Sequence, residues 1–253
     1  MVHGIELFRE YLGKYKSQYV FIGGIACDII LDKIGVPFRM TKDFDMVLMM
    51  EALNEDFVSD FCEFIKLGGY KHIKKGTQEH QFYRFEKPSD LDFPYMIELF
   101  SRKPDYLKTI DTRLSPIYVS DDVMSLSAIL FDVNYYDLLK EGTIEIDGIS
   151  VLRIECLVLF KIKAYLDLSQ RRLLGEHIDL KVIKKHRNDV IRLVVHIDYE
   201  TKWYVSLDVM KDIHAFMQHL VIPQQLLNQL GLHHTSLEDI FHIIQSTYYV
   251  SKS

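Results

Sequence analysis

Apolar positions in the first hundred residues switch repeatedly between a helical and an extended period. Spacing near three and four predicts a helix from Ile5 to Lys16, and the unbroken run Tyr19-Val20-Phe21-Ile22, stopped by Gly23-Gly24, predicts a buried strand. A second helix fits Ile25 to Lys33, with Gly35 and Pro37 as stop signals. The short apolar run Phe44 to Met50, entered through Asp43, predicts another strand. Phe57, Phe61, Phe64 and Ile65 mark a helix within Asn54 to Leu67 that ends at Gly68-Gly69. Strands are expected at Phe82 to Phe85 and at Tyr95 to Phe100, on either side of the turn-rich Lys87-Pro88-Ser89-Asp90. Ser127 to Phe131 reads as one more strand, and Thr143 to Val151 as a hairpin turning at Asp147-Gly148.

The pattern changes after Arg153. Leu157, Phe160, Ala164 and Leu168, then Leu180, Ile183, Val190 and Leu193, recur at helical spacing. The expected fold class is therefore α+β: a mixed sheet with flanking helices over 1–152, then a mainly helical domain over 153–253. No internal repeat or low-complexity segment interrupts either part.

Composition narrows the function classes. With 253 residues, 48% of them hydrophobic, the chain can bury substantial cores. Lys and Arg number 30 against 36 Asp and Glu, a net charge of −6. That excludes a nucleic-acid binder relying on overall basicity but leaves room for a local basic groove. Only 12 Gly and 6 Pro argue against a disordered chain. The apolar stretch Tyr19 to Leu31 is broken by Asp28 and too short to span a bilayer, so no membrane partner is expected. The start, Met1-Val2-His3-Gly4-Ile5-Glu6, lacks the charge and apolar run of a secretory signal. Cys27, Cys62 and Cys156 are odd in number and widely spaced, giving neither a disulfide framework nor a zinc motif, and a reducing, cytoplasmic setting is the expectation.

The chemistry concentrates in Ile22-Gly23-Gly24-Ile25-Ala26 and Arg39-Met40-Thr41-Lys42-Asp43-Phe44-Asp45. A strand running through glycines into a helix presents bare backbone amides and a positive helix end, which suits phosphate oxygens. Asp43 and Asp45, two apart on a strand, leave on one face while Phe44 leaves on the other. Two adjacent carboxylates repel unless a cation lies between them, and they are good hard-oxygen ligands for Mg²⁺. A third carboxylate is expected on a neighbouring strand. Glu98, charged between Ile97 and Leu99, is the first choice and Asp92 the reserve. Arg39 and Lys42 are candidates for neutralising phosphate charge, and Thr41 for positioning the strand entrance.

Gly23-Gly24-Ile25-Ala26 with Arg39, Thr41, Asp43 and Asp45 resembles the motif of the DNA polymerase β-type nucleotidyltransferase superfamily. The Arg-x-Thr-x-Asp-hydrophobic-Asp form is similar in particular to the AbiEii/AbiGii abortive-infection toxin nucleotidyltransferases. The resemblance implies two Mg²⁺ ions and transfer of a nucleotide from a nucleoside triphosphate to an acceptor hydroxyl, with pyrophosphate leaving. It puts Gly23 and Gly24 on the triphosphate, Asp43 and Asp45 on the metals, and Glu98 in the third carboxylate place, where the family more often has Asp.

In the second half, Lys161-Ile162-Lys163-Ala164, Arg171-Arg172 and Asp189 resemble the family's Lys-x-x-Ala, Arg and Asp pattern. Lys161 takes the catalytic lysine place and Lys163 is a second phosphate candidate; the alternative for both is a lysine stem lying along apolar surface. Lys184 to Arg187 is expected to be a solvated face, and it is also the one local basic cluster on which RNA would rest. His233-His234 lacks partner ligands at metal spacing. The toxin likeness implies an RNA acceptor such as a tRNA end, and an antitoxin protein as a possible partner. A small-molecule acceptor, as in antibiotic-modifying nucleotidyltransferases, and a non-catalytic nucleotide- or antitoxin-binding protein are the alternatives.

Overall fold

The computed structural model describes residues 2–39, 41–49, 51–72, 82–101 and 129–251. They fall into two compact units, one holding the described residues up to 101 together with 141–153, the other holding 129–140 together with 154–251.

The first unit contains helix α1 (Ile5–Leu12), strand β1 (Tyr19–Phe21), helix α2 (Gly23–Lys33), strand β2 (Asp43–Leu48) and helix α3 (Glu55–Leu67). Among the described residues it also contains strands β3 (Lys71–His72), β4 (Phe82–Glu86), β5 (Met96–Phe100), β6 (Thr143–Ile146) and β7 (Ile149–Leu152). All seven strands form one mixed sheet in the order β3-β4-β5-β2-β1-β7-β6. β2 runs parallel to β5 and antiparallel to β1, so it lies inside the sheet. The aromatic core is built on the face opposite the two aspartates. Phe44 is fully buried, with its ring 5.3 Å from Phe21 and 5.8 Å from Phe8, and Phe8 reaches Phe64 at 5.8 Å. Such edge-on pairs add to the burial of large rings and fix β2 against the helices.

Local chemistry sets several boundaries. α1 stops at Leu12, short of the expected Lys16, because Gly13 opens a 3₁₀ turn through Tyr15. Asn54 caps α3 by accepting from the Phe57 amide at 2.9 Å. The hairpin turns as expected at Asp147 and Gly148, whose φ of 49° and 78° are those of a tight hairpin turn. The strand expected to reach Met50 is assigned over Asp43–Leu48, and Met50 itself lies outside the described residues.

The second unit contains α4 (Val133–Glu141, its last residue assigned to the first unit), α5 (Ile154–Leu173), α6 (Leu180–Val194), α7 (Leu207–His219), α8 (Gln224–Gln229) and α9 (Leu237–Thr247). Two short strands, β8 (Trp203–Val205) and β9 (Tyr248–Val250), pair in parallel, so this unit is not purely helical. Leu168, Ile178 and Ile183 form a small core where α5 turns into α6. The expected strand from Ser127 to Phe131 is corrected: Ser127 lies outside the described residues, and Ile129 to Phe131 are helical. Asp132, whose carboxylate accepts from the Asn134 amide at 2.9 Å, then restarts the chain as α4. Tyr135 ties α4 into the second unit, donating to Asp212 at 2.9 Å with its ring 5.6 Å from Phe160. The single cut near Leu152 thus gives way to an arrangement in which 129–140 belong with the helices. Among the described residues, no helix is long and apolar enough to cross a membrane.

Candidate functional site

The site begins with one register position. In the parallel pair β2 and β5, Asp45 stands beside Glu98, and in the antiparallel pair β4 and β5, Arg84 stands beside the same Glu98. Arg84, Glu98 and Asp45 therefore form one row across three strands, and residues in such a row share a face of the sheet. Asp43 lies two residues before Asp45, on that face also.

The start of α2 closes on this row. The glycine pair, expected as a turn before the helix, forms its first two residues, after an extended Ile22. Gly23 has φ +65°, and a Cβ there would collide with the Asp45 carboxylate. Only glycine accommodates both the conformation and the contact. A Cβ on Gly24 would lie 2.8 Å from Thr41 Oγ1 and 3.5 Å from an Arg39 guanidinium nitrogen. The Ile22 amide donates to the Asp45 carbonyl at 2.9 Å, locking the end of β1 to β2. Ile22, the N-cap residue of α2, makes no side-chain cap, and the positive helix end lies between Asp45 on one side and Thr41 with Arg39 on the other. Lys42 is exposed, with its ammonium 5.8 Å from the centre of the Tyr95 ring.

Glu98 is only 4% exposed. Arg84 Nε donates to its Oε1 at 2.7 Å, and Arg84 Nη2 donates to the same oxygen. Burial first and the neighbouring Asp45 charge second raise the Glu98 carboxyl, Arg84 opposes both, and the net position is pushed up to about 8. A side-chain hydrogen bond between Glu98 and Asp45 acts in the same upward direction. Asp92, the reserve carboxylate, is exposed in a turn, its amide bonded to Asp90 at 3.0 Å.

Among the described residues, no group of three or more His, Cys, Asp or Glu side chains is arranged to hold a metal ion. The donor chemistry nevertheless fits a hard divalent cation. Asp43 and Asp45 share a face of the sheet, and Glu98 stands beside Asp45 in the strand register, so three carboxylates lie on neighbouring positions of one face. Asp43, Asp45 and Glu98 are the residues that would hold it.

The second-unit candidates are already engaged. Lys161 is 5% exposed, and its Nζ lies 3.2 Å from Asp189, itself 1% exposed. Lys163 donates to Asp212 at 2.8 Å, with its ammonium 5.3 Å from the centre of the Tyr135 ring. The Lys184 to Arg187 cluster departs from a uniformly solvated face: Lys184 is exposed, Lys185 and Arg187 are half-buried, and His186 is buried. Desolvation lowers the Arg187 pKa. His233 and His234 are exposed.

Arg84 is the site residue that sequence reasoning missed. Its signal was present: one charge between Tyr83 and Phe85, both buried, on a predicted strand. The rule that singled out Glu98, that a charge among apolar strand neighbours needs a partner, applies equally to Arg84. No protein-family model matches the chain, and none of the curated proteins matches it.

Proposed function

We propose that the chain is a Mg²⁺-dependent nucleotidyltransferase that moves a nucleotide from a nucleoside triphosphate to an acceptor hydroxyl. The observation that carries this reading is the fit of the Gly23-Gly24 helix start against Asp45, in register with Glu98. It joins a phosphate-accepting backbone to a cluster of acids on one sheet face.

In this reading the first amides of α2 bind phosphate oxygens, and Arg39, beside Gly24, offsets their charge. Thr41 packs on the helix start and fixes the entrance to β2. Asp43 and Asp45 orient the reacting groups, and Phe44, locked in the aromatic core, keeps them from shifting. Bound divalent cations would supply charge neutralisation at the transferred phosphorus and acidify the attacking hydroxyl. Lys161 and Lys163 are paired within the second unit, so the reading rests on the first.

RNA, such as a tRNA end, is the acceptor proposed from the toxin likeness, with growth inhibition as its output. The test is incubation with each α-labelled triphosphate, Mg²⁺ and either total RNA or a cell extract. Label entering RNA supports the full reading, and label in a small-molecule fraction replaces the acceptor. Transfer unchanged in Asp43→Ala/Asp45→Ala refutes the site.

A further inference from the structure

We infer that Arg84 is a positioning residue of the proposed metal centre: it fixes the third carboxylate, Glu98, by one oxygen and so sets how the other meets Asp45 and a divalent cation. The inference rests on reading the acidic row as a metal site.

Both Arg84 N–H bonds end on Glu98 Oε1. A guanidinium is a rigid planar fork, so two donors converging on one oxygen hold the position of that oxygen as a single ammonium donor does not. The partners are themselves held, because Arg84 and Glu98 are opposite one another in the β4 and β5 ladder and Glu98 and Asp45 in the β5 and β2 ladder. Side-chain exposure is 19% for Arg84 and 6% for Glu98, so solvent screens the pair weakly.

Stability alone is a poor account of the pair. Desolvating two charges offsets most of the attraction between them, and an apolar pair of similar volume commonly does as well. An arginine in line with two carboxylates instead resembles, physically, the outer partners that orient metal ligands. Loss of such partners typically weakens metal affinity by about 10–100-fold. A simple charge effect runs the other way, since removing a cation from beside a cation site tightens binding. The two accounts therefore differ in sign.

The probe is Mn²⁺ alone, titrated at fixed pH into the full chain and followed by the electron paramagnetic resonance signal of the free ion, with no triphosphate and no turnover. The variants are Arg84→Lys, which keeps the charge but loses the fork, Arg84→Met, Glu98→Gln, Arg84→Lys/Glu98→Gln and Asp45→Asn. Positioning predicts that Arg84→Lys and Arg84→Met each weaken Mn²⁺ binding about tenfold or more. It also predicts that Arg84→Lys adds less than about twofold once Glu98→Gln is present, because the effect is transmitted through Glu98.

Binding as tight as wild type in Arg84→Lys, or tighter in Arg84→Met, overturns the inference, as does an equal loss in both backgrounds. If Arg84→Met does not fold, Arg84→Lys and its double variant decide. Loss of binding in Asp45→Asn while the Arg84 variants bind normally keeps the metal site and removes Arg84 from it. A wild type that binds no Mn²⁺ removes both.

Discussion

Gly23→Ala is the sharpest perturbation of the proposed site, because one methyl group meets two obstacles at once. At φ +65° an L-residue is in left-handed backbone, which costs roughly 1–2 kcal/mol relative to glycine. The new Cβ also falls on the Asp45 carboxylate, and displacing a packed group of this kind typically costs about 1–3 kcal/mol. The expected loss is therefore about 2–5 kcal/mol, measured as a fall in the urea midpoint with an unchanged denaturant slope. Gly24→Ala is the internal control. Its φ is not in the left-handed region, and its Cβ meets Thr41 Oγ1 at 2.8 Å, so only the packing part, about 1–3 kcal/mol, applies. Nucleotide transfer should fall further in Gly23→Ala than in Gly24→Ala, because only the former moves a carboxylate. Wild-type stability and full transfer in Gly23→Ala would refute the close approach of the glycine to Asp45, and with it the joined phosphate and acid site.

Two further outcomes are expected. Glu98 titrates near 8 when folded against an ordinary value of 4.5, so over that interval the folded, metal-free protein holds more protons than the unfolded chain. Its contribution to stability is present in full below about 4.5 and is lost as pH rises through 8, which melting curves should show, with Mg²⁺ stabilising more strongly toward the alkaline end. Lys161→Met leaves Asp189 buried without its ammonium and should lose about 3–5 kcal/mol in urea unfolding, whereas Lys161→Met/Asp189→Leu should recover most of it. A double variant as unstable as the single one would show that the pair is not the source of the loss.

What the sequence disclosed follows from the range of the interactions involved. The face shared by Asp43 and Asp45 needs only the two-residue period of a strand, and the Asp147-Gly148 turn needs only local backbone preferences. Glu98 was recoverable because a lone charge among apolar neighbours demands a partner, but the partner itself was not. Arg84 and Asp45 meet Glu98 through strand register, which links residues 14 and 53 positions away and leaves no periodic trace. Ile129 to Phe131 misled because a short apolar run fits either period, and burial of Ile129 and Leu130 satisfies both. β8 and β9, three residues each, are too short to show alternation at all.

The order of strands in the sheet also bears on how the protein is made. β1 lies between β2 and β7, yet β2 follows it within about twenty-five residues while β7 arrives only at Ile149–Leu152. A nascent chain that has emerged as far as Phe100 already carries every first-unit residue of the proposed site, but β1, with Tyr19, Val20 and Phe21 all buried in the finished protein, still has an open edge. Ribosomal synthesis at roughly 5–20 residues per second leaves that edge exposed for several seconds. Release factors, stalling or a premature stop codon between these points would leave a fragment prone to pair with other chains through β1, so expression yield should be more sensitive to truncation before Ile149 than to loss of the final strand β9.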